Sequence, residues 1–243
     1  MGTFGLDVAR VATTSLQVVA AATALVVATG LPLAAALARP GWRGRGLVEL
    51  AVMAPLALPP TVVGFYLLQV LGRHGPVGWL TERLWGGTLI FTPAAAVLAA
   101  AVTALPLFVQ PARAALEEIP ADVRAAAAID GARGWRYAWF ITLPLAWRGI
   151  LAGTVLAFTR ALGEFGATLM VAGNIPGRTQ TLPLAIYSAV QAGREDVAAR
   201  LALWLTAAAA LALWVAGRWR GTAGEGARGG RFAAPAAPRG DDR

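Results

Sequence analysis

The sequence predicts an all-α membrane protein with about five transmembrane helices and one short helix outside the membrane. Of the 243 residues, 57% are hydrophobic and 14% are charged, and the mean hydropathy is +0.60, too apolar for a water-soluble domain of this length. The apolar residues form runs that reach the roughly 20 residues needed to cross a bilayer as a helix. One polar stretch with helix signals, residues 120–131, lies between two of these runs.

The first predicted span covers residues 11–38. Residues 1–10 precede it, and the arginine distribution described below places them outside the cell. A cleaved signal peptide is the alternative, but this run is longer than a signal core of about 7 to 15 residues. Of the four arginines that flank the run, three also follow it and only Arg10 precedes it. Arg39, Arg43 and Arg45 form that short basic loop.

The second and third predicted spans cover residues 47–71 and 87–109. Pro59 and Pro60 fall within the second span, where the loss of two backbone donors forces a kink or a break. Such irregular backbone persists at membrane depth only when it is buried in protein or lies beside water. The polar connection 72–86 contains tryptophans, which favour a membrane interface.

Residues 120–131 carry the start and stop signals of a short helix. Pro120 suits the first turn, Asp122 complements the positive end of the helix dipole, and Gly131 offers a stop. A helix of this length is marginal alone in water, so it must dock onto something. An amphipathic connector lying on the membrane surface is the alternative to a docking element.

The last two predicted spans cover residues 141–166 and 197–216. Gly149 and Gly153 form a GxxxG spacing that lets helix backbones approach closely in lipid. Arg160 and Glu164 are four residues apart, so an ion pair on one helical face would offset the cost of immersing either charge. Between the spans, the apolar piece 182–190 is too short to cross. After residue 216, the Gly, Ala, Pro and Arg composition predicts a disordered cytoplasmic tail, 217–243.

The distribution of arginine predicts the orientation. With the N-terminus outside, the inner segments hold 14 of the 21 arginines and the outer segments hold 5. The positive-inside rule then places residues 120–131 and the C-terminus in the cytoplasm. The net charge of +8 is explained by this topology, so nucleic acid is not expected as a partner.

Residue types for catalysis and metal binding are scarce. The chain has no cysteine and one histidine, so we expect neither a metal site nor a cofactor. No Gly-rich phosphate loop with its lysine and no nucleophile paired with a base is visible, so the chain is not expected to be an enzyme.

A motif across residues 125–144 resembles the coupling motif of ABC-importer permeases. It comprises three alanines, then three residues and a glycine, then nine residues and an Ile-x-Leu-Pro group. Those permeases usually carry a glutamate at the position of Ala125. The resemblance implies a cytoplasmic coupling helix that docks on a separate ATPase chain, and its residues are Ala125, Ala126, Ala127, Gly131, Ile141, Leu143 and Pro144.

Two further segments, 56–68 and 156–190, resemble the molybdate permeases of that type I family. This resemblance implies a permease homodimer in the lipid of the bacterial inner membrane, with an ABC ATPase dimer and an extracytoplasmic molybdate-binding protein as partners. Tungstate or sulfate/thiosulfate are alternative substrates. A secondary transporter or channel is the alternative class, which predicts ionisable midplane residues or inverted repeats. The candidate residues of the translocation path are Pro59, Pro60, Thr61, Arg160, Glu164, Gly166 and Thr168.

Overall fold

The computed structural model describes residues 8–129, 131 and 134–221, and this part of the chain is helical, with no strand. The all-α prediction is therefore confirmed. The helices are α1 (Val8–Ala38), α2 (Arg45–Ala57), α3 (Pro60–Leu71), α4 (Pro76–Trp85), α5 (Pro93–Glu117), α6 (Ala121–Ile129), α7 (Trp135–Tyr137), a π-helical segment (Ala138–Thr142), α8 (Leu143–Leu162), α9 (Gly166–Ala172), α10 (Leu182–Gln191) and α11 (Glu195–Gly221).

Four helical segments of the described chain are long and apolar enough to cross a membrane. They are α1, α5, the continuous helix from α7 to α8, and Glu195–Val215 of α11. The predicted second span, 47–71, is instead divided between α2 and α3. Leu58 and Pro59 are extended, with ψ of 144° and 139°, because a residue that precedes proline is driven out of the helical region. Pro60 then starts α3, where its missing N–H costs nothing.

The core of the bundle is formed by α1, α5 and α8, which pack through small residues. Ala22, Ala104 and Ala157 are fully buried in one cluster with Phe108. A Cβ on Gly30 of α1 would lie 2.6 Å from the Phe108 ring, and one on Gly153 of α8 would lie 2.7 Å from the Phe108 carbonyl oxygen. These two glycines therefore set how closely α1 and α8 approach α5.

Helix α5 is displaced along the sequence from the predicted span 87–109. It begins at Pro93, with the Thr92 side chain accepting a hydrogen bond from the Ala95 N–H, and it continues to Glu117. The continuation passes Arg113, a charged residue that suggests a loop when the sequence is considered alone. In the structure this charge is paired, so the helix can extend beyond the apolar run.

The ends of the bundle are tied by polar contacts far apart in sequence. Ser15, near the start of α1, is buried and its Oγ accepts a hydrogen bond of 2.7 Å from the N–H of Leu182 at the start of α10. Helix α10 also packs against α11, so the short apolar piece predicted at 182–190 is a helix held between two longer ones.

Candidate coupling and translocation sites

Helix α6 carries the predicted coupling residues and presents one of its faces to solvent. Ala127 is 4% exposed and Val123 packs against the core, whereas Ala125 and Ala126 are exposed and Ile129 is 86% exposed. The Nη2 of Arg124 donates a hydrogen bond of 2.9 Å to the carbonyl of Ile119, in the short connection between α5 and α6. The bundle thus holds α6 by one face and leaves the face with Ala125, Ala126 and Ile129 exposed.

Gly131 follows α6 with a left-handed backbone, φ 74°, and no heavy atom lies within 4 Å of where its Cβ would be. The glycine is needed for its conformation and not for a close approach, because L-residues with side chains rarely adopt this φ. The predicted stop therefore lies at a left-handed glycine two residues after the last residue of α6.

The Ile-x-Leu-Pro part of the motif lies at the junction between a π-helical turn and α8. The Leu143 N–H donates to the Ala138 carbonyl, five residues earlier, and Pro144 has no N–H with which to continue a regular ladder. Ile141 and Leu143 are half-buried and Pro144 is exposed. Thr142 of the π-helical segment and Arg124 of α6 line one pocket, so the two halves of the motif lie close together.

Arg160 and Glu164 form an ion pair with 2.6 Å between Nη1 and Oε2. Helix α8 ends at Leu162, so Glu164 lies just beyond the helix and not on its face as the spacing suggested. The Oε1 of Glu164 accepts a hydrogen bond of 2.8 Å from the Ala167 N–H, in the first turn of α9. The Glu164 side chain is 2% exposed and that of Arg160 is 26% exposed. One carboxylate thus joins the end of α8 to the start of α9.

The other candidate path residues separate into two environments. Pro59, Pro60 and Thr61 are exposed at the break before α3, whereas Gly166 and Thr168 of α9 are buried. A Cβ on Gly166 would lie 3.0 Å from the Cβ of Pro60, so the glycine allows α9 to pack against the start of α3. The structure therefore brings Pro60 and Gly166 together. The Arg160–Glu164 pair lies next to them, where the chain passes from α8 into α9.

Three polar side chains between α9 and α10 that could have served a passing oxyanion make hydrogen bonds within this segment or to α10: Asn174, Thr179 and Gln180. The Asn174 Nδ2 donates to the Ser188 Oγ at 2.6 Å, and the Gln180 Nε2 donates to the Asn174 Oδ1 at 2.9 Å. Thr179 Oγ1 accepts a hydrogen bond from the Ile175 N–H. These groups hold the α9–α10 connection in shape.

Sequence reasoning missed an ionic network between α2 and α5. Arg113 bonds Glu49 at 2.7 Å and Glu117 at 2.8 Å, and Glu117 also bonds Arg45 at 3.1 Å. The spacing of Arg113 and Glu117, four residues apart, is the one signal that could have indicated it. The network fastens α2, which otherwise buries only Val52, to the end of α5 nearest α6.

The described part of the chain thus combines apolar helices long enough to cross a membrane, a short surface helix, and a π-helical Leu-Pro junction after it. The chain belongs to the family of binding-protein-dependent transport system inner membrane components, whose model matches residues 28–217.

Curated relatives above 30% identity are permease components of transport systems. The chain is 46% identical over 184 residues to the putative molybdenum transport system permease protein YvgM of Bacillus subtilis, covering 76% of this chain and 81% of that protein. It is 43% identical over 202 residues to the molybdenum transport system permease protein ModB of Escherichia coli K12, covering 83% and 88%. A sulfate transport system permease protein, CysW of Synechococcus elongatus, is 36% identical, covering 72% and 61%.

The fold is also found in a crystal structure of a bacterial alginate ABC transporter in complex with a periplasmic protein bound to an alginate pentasaccharide. The TM-score is 0.69 at 17% identity, and the match covers 85% of this chain and 76% of that one. At this identity the likeness establishes the fold.

Proposed function

We propose that the chain is the permease subunit of an ABC importer that moves molybdate across the bacterial cytoplasmic membrane. The observation that carries the substrate is the 46% and 43% identity to molybdenum permeases over three quarters or more of the chain, against 36% to the sulfate permease. Sulfate is the second candidate, and tungstate, which has the same shape and charge as molybdate, is the third.

In this proposal ATP is hydrolysed on a separate ATPase dimer that binds the exposed face of α6. The supporting features are the exposed Ala125, Ala126 and Ile129 on one face of the helix, and the buried Ala127 and the core contact of Val123 on the other. A rigid helix with small residues on its free face suits a groove in a partner, because it can transmit displacement without bending. Gly131, Ile141, Leu143 and Pro144 orient this helix relative to α8.

The proposed assembly contains two permease copies, two ATPase subunits and an extracytoplasmic molybdate-binding protein. Its orientation has the N-terminus outside and residues 217–243 in the cytoplasm, with α6 on the cytoplasmic side. The 14 to 5 arginine asymmetry supports this orientation.

The proposed translocation path passes the junction of α3, α8 and α9. Pro59, Pro60 and Thr61 form an irregular exposed backbone there, and Arg160 supplies a partly exposed positive charge whose partner, Glu164, is buried. Gly166 allows the close contact between α3 and α9, and the buried Thr168 lies two residues further along α9. The ion pair neutralises Glu164, so the carboxylate does not repel an entering oxyanion.

The test is uptake of radiolabelled molybdate into proteoliposomes that contain the chain with its co-expressed ATPase and binding protein. We expect uptake that requires ATP, the ATPase and the binding protein, and that is unaffected by a hundredfold excess of sulfate. Uptake without ATP would identify a secondary transporter or channel. Sulfate or tungstate uptake in place of molybdate would reassign the substrate and leave the class intact.

A further inference from the structure

We propose that the chain holds one phosphate-class anion in a basic pocket beside α6, and that the anion is the headgroup phosphate of an acidic phospholipid. The pocket has a volume of about 210 Å³ and is lined by Arg39 after α1, Arg124 of α6, Tyr137 of α7, Thr142 of the π-helical segment, and apolar residues of α1 and α5. This volume is below the roughly 300 to 1,000 Å³ of sites for drug-sized ligands and suits a headgroup. The inference goes beyond transport of the substrate and is independent of its identity.

The charge of the pocket is uncompensated among the residues that the structure describes. No carboxylate lines it, and the guanidinium of Arg39 makes no hydrogen bond or ion pair within that part of the chain. Arg124 uses Nη2 on the Ile119 carbonyl, which leaves its other donors free to bind a ligand. The nearby Arg113 differs, because Glu49 and Glu117 neutralise it.

Two hydroxyl groups in the pocket wall also lack partners. The Oγ1 of Thr142 is buried and makes no hydrogen bond, and the Tyr137 hydroxyl makes none within the described residues. Buried polar atoms are nearly always satisfied, so an orphan hydroxyl beside two arginines indicates a missing acceptor. A phosphate oxygen accepts from guanidinium and hydroxyl donors alike.

A lipid source is favoured by the aromatic residues beside the pocket. Trp135, Trp139 and Phe140 are 70%, 64% and 66% exposed, and they occupy the segment that includes Tyr137. Exposed aromatic side chains at a helix end mark the headgroup level of a bilayer, and basic pockets between helices on the cytoplasmic side suit anionic headgroups. The acyl chains would then lie along the exposed aromatic face while the phosphate enters the pocket.

Native mass spectrometry of the full chain, purified in a mild detergent and titrated with phosphatidylglycerol or phosphatidylcholine, tests the proposal. We expect one retained phosphatidylglycerol and at least tenfold weaker retention of phosphatidylcholine. Arg39→Gln and Arg124→Gln should each weaken retention about fivefold, and together about 25-fold. The matched control is Arg43→Gln, which removes an exposed arginine from the same loop outside the pocket. Tyr137→Phe and Thr142→Val, which keep size and fold, should each weaken retention severalfold.

A parallel titration with inorganic phosphate distinguishes the source of the anion. Phosphate that raises the melting temperature of delipidated chain, in a manner that requires Arg39 and Arg124, would support the site with a free anion as its ligand. Lipid selectivity that requires the two arginines would support the headgroup. If neither ligand depended on Arg39 and Arg124 more than on Arg43, the proposal would be overturned.

Discussion

Gly153 of α8 allows a test of the helix contact on which the bundle depends. A Cβ at this position would lie 2.7 Å from the Phe108 carbonyl oxygen of α5, where ordinary contact needs 3.4 Å. The obstacle is backbone, so no rotamer change can relieve it and Gly153→Ala must push α8 away from α5 by about 0.7 Å.

The expected loss of stability follows from two opposing terms. Overpacking of this kind costs about 1 to 3 kcal/mol, and replacing glycine by alanine inside a helix returns up to about 1 kcal/mol. We therefore expect Gly153→Ala to lower the free energy of unfolding by about 1 to 2 kcal/mol. Gly149→Ala should behave similarly, since its Cβ would lie 2.6 Å from the Pro111 carbonyl oxygen.

The measurement is unfolding of the purified chain against the mole fraction of SDS, followed by circular dichroism. Gly46→Ala is the matched control, because Gly46 also lies in a helix and has no heavy atom within 4 Å of the added Cβ. We expect Gly46→Ala to be neutral or slightly stabilising. Equal unfolding midpoints for Gly153→Ala and Gly46→Ala would refute the close contact between α8 and α5.

Three further predictions concern the proposed transport cycle. Gly131→Trp should reduce uptake at least tenfold without lowering membrane insertion, because the side chain blocks the docking face. The control is Gly86→Trp, which has a similar φ of 67° and equally open space and should transport normally. Arg160→Gln and Glu164→Gln should each impair assembly or uptake severalfold, since each leaves a charge poorly compensated, and assembled complex and uptake should be measured for both singles and the double. If the double variant assembles and transports normally, the pair is structural; normal uptake in both singles would contradict either role. Single cysteines at the exposed positions 80 and 187 should react with an impermeant thiol reagent on spheroplasts, whereas one at position 126 should not, and the reverse pattern would invert the topology.

Local rules were sufficient wherever backbone chemistry decides the outcome. Pro59 and Pro60 predict a break, and α2 and α3 are separate helices on either side of it. The GxxxG spacing of Gly149 and Gly153 predicts a close helix contact, and both glycines meet backbone atoms of α5. The break depends on sterics between adjacent residues, and the contact with α5 depends on two small residues one helical turn apart.

Features that depend on tertiary pairing could not be predicted. The extension of α5 past Arg113 depends on Glu49, which is 64 residues away in sequence. The role of Glu164 at the start of α9 depends on α8 ending at Leu162, whereas the spacing alone suggested an unbroken helix. Likewise, the sequence does not indicate a partner for Asn174, whose side chain donates a hydrogen bond to Ser188 of α10 in the structure.

The π-helical segment shifts the residues of α7 relative to α8, although the two belong to one continuous helix. A π turn holds one residue more than an α turn, so everything before Ala138 is rotated by about 100° and shifted by about 1.5 Å relative to a regular helix ending at α8. Pro144 lies two residues after this segment and has no N–H to donate to a carbonyl of the turn before it. If the π-helical segment became α-helical, Trp135 would rotate by about 100° around the helix axis. The contacts of α8 with α5 would stay in place.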